Sequence, residues 1–89
     1  MATTPNPNFP VITHAIWNNL AGEELSAQIA AQADIMAQQG KTDGIVDIPD
    51  PEPPFDAYRN WLDIAAANEW ITFINSVGGP ALTSIAIEP

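Results

Sequence analysis

Few side chains in this sequence can do chemistry. His14 is the only histidine, and there is no cysteine. The lack of cysteine excludes a disulfide framework, a thiol nucleophile and a Cys-ligated metal. One histidine cannot build a multi-histidine metal site, so neither metal nor cofactor is expected. His14 could serve as a general base if an acid held its ring. The competing explanation is a structural or interfacial histidine on a sheet. Tyr58 and Arg59 fall in a later strand-like run, so a His14–Tyr58 or His14–Arg59 cluster would mark an active site. Strand register decides between them, because a one-residue slip exchanges the two faces.

The acids Asp43, Asp47, Asp50, Glu52 and Asp56 crowd one stretch. Hard cations need several convergent oxygens, and the spacing does not match an EF-hand loop. A solvated acidic loop is the expected reading. No P-loop, dinucleotide fingerprint, nucleophile elbow or zinc-protease motif is present. Gly78-Gly79-Pro80 reads as helix-end punctuation, and Pro49–Pro54 as a stiff loop or a polyproline ligand.

Eleven acids face two bases, Lys41 and Arg59, for a net charge of −9. Two separated cations cannot neutralise a phosphate backbone, so nucleic acid is not an expected partner. Anionic membrane surfaces are excluded for the same reason. The N-terminus lacks a basic start and an apolar run, and no stretch approaches a membrane span. A soluble protein that is not exported by a cleaved signal is expected.

Positioning these residues requires ordered elements. With 89 residues, 46% hydrophobic and 15% charged, the chain is one small domain apolar enough to fold. Residues 1–10 carry three prolines and read as an extended arm, with Phe9 as its docking side chain. Residues 11–89 form the domain. Val11–Trp17 is β-branched and aromatic, and reads as the first strand. Glu23–Gln39 reads as a helix with Leu25, Ile29, Ala33 and Met36 on one stripe, ending at Gly40. Gly44–Ile48 is a short strand candidate that stops at Pro49. Ala57–Leu62 reads as a third strand. Asp63 is the expected N-cap of a helix over Ile64–Val77, with Trp70, Phe73, Ile74 and Val77 on its apolar face. Ala81–Ile87 is the last strand.

The order β-α-β-β-α-β predicts an α+β, ferredoxin-like fold. Right-handed crossovers place both helices on one face of a four-stranded antiparallel sheet, in the order 4-1-3-2. The expected core is Leu25, Ile29, Met36, Trp70, Phe73, Ile74 and Val77. The other sheet face is then left uncovered. The first and last strands look apolar on both sides: Ile12 and Ile16 against Val11, Ala15 and Trp17, and Leu82 and Ala86 against Ile85 and Ile87. A continuous apolar patch marks an interface. The candidates are Phe9, Val11, Trp17, Trp61, Ile64, Ile71, Ile85 and Ile87. The alternative is that the arm or the proline loop folds over the patch.

Thr13-His14-Ala15-Ile16-Trp17-Asn18, Arg59-Asn60-Trp61-Leu62-Asp63 and Ala66 to Asn75 resemble small ferredoxin-like proteins encoded by tailed bacteriophages. There a strand ending in tryptophan precedes an Ala-rich helix bearing Trp and Phe. The resemblance covers roughly residues 11–87 and rests on core and turn residues. It implies a virion-associated protein and carries no catalytic residues, and a proline-rich arm would suit contact with neighbouring subunits.

Three functions follow as expectations. The first is a non-enzymatic structural protein, a decoration or joining subunit that binds itself or other virion subunits. The second is an acidic inhibitor occupying a basic site on a host protein. The third is an enzyme of the dimeric α/β-barrel kind, with His14, Tyr58 and Arg59 lining a pocket between sheet and helices. On the first reading, the negative charge keeps an association-prone domain soluble.

Overall fold

The computed structural model describes residues 7–18, 23–43 and 55–88. The strand expected at 44–48 and the proline loop lie outside the described residues. Among those described, the elements are β1 (Val11–Trp17), α1 (Glu23–Gln38), β2 (Phe55–Trp61), α2 (Ile64–Val77), a short 3-10 turn (Gly79–Ala81) and β3 (Leu82–Ile87). They form a small α+β architecture, two helices on a three-stranded antiparallel sheet, compatible with a ferredoxin-like type. The strand order is β2-β1-β3. No helix among the described residues is long and apolar enough to cross a membrane.

Local chemistry sets the helix ends. Asp63 is extended, and its Oδ1 accepts from the Ala66 amide at 2.9 Å, satisfying one of the free donors at the start of α2. Gly40 ends α1 with φ +76°. Its amide donates to Ala37 O at 3.0 Å and the Lys41 amide to Met36 O at 2.9 Å. These two bonds are the Schellman closure, which requires a left-handed residue best supplied by glycine.

β2 starts at Phe55, two residues earlier than the alternation of Ala57–Leu62 indicates, because Phe55 pairs with Trp17 and Asp56 with Ile16. Leu62 leaves the strand and is exposed. After α1 the chain returns along the side of β2 away from β1. There Thr42 bridges Trp61, the Leu62 amide donates to Lys41 O at 2.9 Å, and Thr42 Oγ1 donates to Asn60 O at 2.6 Å.

The core lies on one side of the sheet. Ala15, Trp17, Phe55 and Trp61 share a buried cluster with Ala33 and Met36 of α1 and Ala66, Ala67, Trp70 and Ile74 of α2. Both helices therefore pack on that face. Of the expected core, Met36, Trp70 and Ile74 are buried, whereas Leu25, Ile29 and Phe73 pack at its margin. The faces of β3 correct one expectation. Ser84 pairs with Ile16 and Leu82 with Trp17, so Thr83 is an extra residue. This bulge turns Leu82 to the helix side, where it packs with Ile85 and Ile87 rather than sharing a face with Ala86.

The turn into β3 is packed closely. A methyl group on Gly78 would lie 2.8 Å from Leu82 Cβ and 2.9 Å from Ile74 O. Its φ of −65° is ordinary, so the glycine serves close approach alone. Gly78→Ala is expected to cost about 1–3 kcal/mol through overpacking. Gly40→Ala meets no atom within 4 Å and is expected to cost about 1–2 kcal/mol through its left-handed backbone. Thermal denaturation of both variants checks this. An unchanged melting temperature for Gly78→Ala would show that the turn yields freely.

Candidate functional site

Register settles which partner His14 keeps. His14 pairs with Tyr58 on β2 and Ala86 on β3, and directly paired residues share a face. His14 and Tyr58 stack with centroids 4.3 Å apart and planes 10° apart. Arg59 pairs with Thr13 on the opposite, helix-covered face. It is buried there, with its guanidinium 5.2 Å from the Trp70 ring centroid. The three residues expected to line one sheet–helix pocket are thus divided between the two faces of the sheet.

The His14 ring is held at both nitrogens. Nε2 lies 2.8 Å from Asp56 Oδ1, and Nδ1 lies 2.8 Å from Glu88 Oε1. Asp56 belongs to β2, and Glu88 follows β3, anchored by its amide donating to Ile12 O at 2.8 Å. One imidazole thereby links all three strands. The contact to Asp56 is a hydrogen bond, and Glu88 meets the other nitrogen at ion-pair distance. The histidine side chain is 23% exposed, so the cluster is open to water rather than enclosed.

Such a carboxylate–imidazole–carboxylate clamp can orient a ring and hold a proton. It cannot hold a metal without giving up these contacts, since the two acids meet different edges of the ring. No group of three or more metal-ligating side chains is present among the described residues. In the sequence Asp56 reads as part of an acidic loop, and no motif singles out Glu88. The signal that finds them is strand pairing: matching the aromatic ends Trp17 and Phe55 puts Asp56 one step from His14.

The interface candidates take several places. Trp61 and Trp17 lie inside the core, at 0% and 6% exposure, because the apolar side of β1 and β2 is the helix side. That corrects their placement on an uncovered face. Val11, Ile85 and Ile87 are half-buried at the margin of that core. Phe9 and Ile71 are half-buried, and Ile64 is exposed on α2. The face with no described helix over it instead carries Ile12 and Ile16, both half-buried, around the His14–Tyr58 stack. Both side-chain cations are engaged: Lys41 Nζ lies 2.8 Å from Glu69 Oε2, and Arg59 sits under Trp70. Compared with known proteins, the chain matches no protein-family model, no curated protein and no solved structure.

Proposed function

We propose that this chain is a non-enzymatic structural protein, a small virion subunit of a tailed bacteriophage that works by self-association or by docking on a larger assembly. One observation carries the reading. Both helices pack on the same side of the sheet, leaving Ile12 and Ile16 with no described helix over them. Such a face meets either water or a partner, and apolar residues on it favour a partner. The phage assignment rests on the resemblance of the strand and helix segments named above. A full ferredoxin-like sheet, with a fourth strand beside β2, is supported by the bridge from Thr42 to Trp61 on the free side of β2.

Light scattering on the purified chain tests the association, with a dimer or larger species expected. A monomer that binds nothing overturns it. Protein mass spectrometry of purified phage particles tests the assignment to a virion. The chain is expected there in fixed stoichiometry, and its absence from particles overturns that assignment.

The net charge of −9 favours one second reading, an acidic inhibitor of a basic protein, with Lys41 paired to Glu69 and Arg59 buried against Trp70. Salt separates the two. Contact with a basic partner weakens as salt rises, whereas association of like-charged copies strengthens.

A further inference from the structure

We propose that the outer edge of β3 pairs antiparallel with β3 of a second copy, continuing the sheet across a two-fold axis. This rests on the reading that the chain self-associates, and it names the surface.

β3 is the last strand of the described sheet, bonded to β1 on one side only. The Glu88 amide points to β1. Backbone groups alternate direction along an antiparallel strand, so those of Ala86 also point inward, and those of Ile85 and Ile87 point outward. Native edges are usually blunted by a charge or a proline within the strand. Leu82-Thr83-Ser84-Ile85-Ala86-Ile87 contains neither. The nearest charge, Glu88, is drawn onto His14 at 2.8 Å.

The occupant is a second copy because the edge is complementary to itself. Antiparallel pairing centred on Ala86 sets Ile85 of each chain opposite Ile87 of the other. All four outward N–H and C=O pairs are then satisfied by one isologous contact. The same contact covers what remains exposed of Ile85 and Ile87, which pack against the core yet stay half-buried. Ala86 and Ser84 are exposed and small, and no charges meet across the axis. Each copy carries −9, so repulsion elsewhere opposes the dimer and salt should tighten it.

The decisive measurement needs no variant. Residue-resolved amide hydrogen exchange is followed on the full chain at low and high protein concentration, alongside its mass by light scattering. Protection of the Ile85 and Ile87 amides is expected to rise with concentration as the mass doubles. Fast exchange at both residues in a species of dimer mass overturns edge pairing, while the associating reading stands. A wild-type monomer at every concentration overturns the pairing as well, as does protection that appears only with a foreign protein.

Variants add a second arm. Ile87→Lys, which puts like charges near the axis on the helix side, is expected to weaken the dimer about tenfold or more. Ile16→Lys, on the uncovered face and away from the edge, is expected to leave it intact. The reverse order overturns the proposal in favour of face-to-face packing. Circular dichroism confirms that each variant is folded.

Discussion

Replacing Trp61 by alanine is expected to cost about 3–5 kcal/mol, the usual range for a buried large aromatic. A domain of this size has a total stability of about 5–15 kcal/mol, so the variant should lose a large share of it and melt at a markedly lower temperature. Trp61 is 0% exposed and packs on Trp70 with centroids 5.2 Å apart. It joins the sheet, α2 and the segment after α1, since its backbone bridges Thr42 and its cluster includes Met36. Its Nε1 donates to Thr13 Oγ1 at 2.8 Å, and Thr13 is itself buried. Truncation therefore opens a cavity and leaves that hydroxyl without its donor.

Trp61→Phe separates the two contributions. It keeps most of the ring contact and loses the bond, and is expected to cost about 1–3 kcal/mol. Leu62→Ala, one residue along but 46% exposed, is expected to change stability by less than about 0.5 kcal/mol. Urea denaturation followed by far-ultraviolet circular dichroism gives all three values. A Trp61→Ala protein as stable as Leu62→Ala would show that the helices do not depend on this anchor.

What could be read ahead of the structure was mostly local. Asp63 before an apolar helical stripe and Gly40 after one are short-range signals, and both caps form as such signals dictate. Val11–Trp17 and Ile64–Val77 begin and end where the sequence pattern indicates. The losses came from pairing. The start of β2 depends on Trp17 finding Phe55, 38 positions away in the chain. The faces of β3 depend on one bulge opposite Ile16 and Trp17, which no residue type announces. Trp17 and Trp61 looked like candidates for an outer surface because both faces of these strands carry apolar residues. Only the placement of the helices tells which side is inside. The candidate site was least legible, because His14 of β1, Asp56 of β2 and Glu88 just after β3 meet only through register.

That meeting yields a prediction that tests whether the clamp acts as a unit. His14→Phe keeps a flat ring against Tyr58 but removes both nitrogen contacts. Asp56 and Glu88 are then left facing an apolar ring from opposite edges. Hydrogen bonds to charged groups contribute about 1.5–3 kcal/mol each when shielded, and exposed ion pairs only about 0–1 kcal/mol. The His14 and Asp56 side chains are 23% exposed and Glu88 38%, so the expected loss is about 1–2 kcal/mol for both contacts together. Asp56→Asn and Glu88→Gln each remove a charge while keeping shape. In the wild-type background each should destabilise, and in the His14→Phe background each should cost less or nothing. The coupling expected from such a cycle is about 0.5–3 kcal/mol. It should be larger for Asp56, whose side chain is less exposed than that of Glu88. Strict additivity in denaturant titrations would mean that the ring merely stacks and that its carboxylate neighbours hold nothing. Positive coupling at both edges would establish His14 as the tie across the three strands, and would explain why Glu88 is held away from the otherwise uncharged edge of β3.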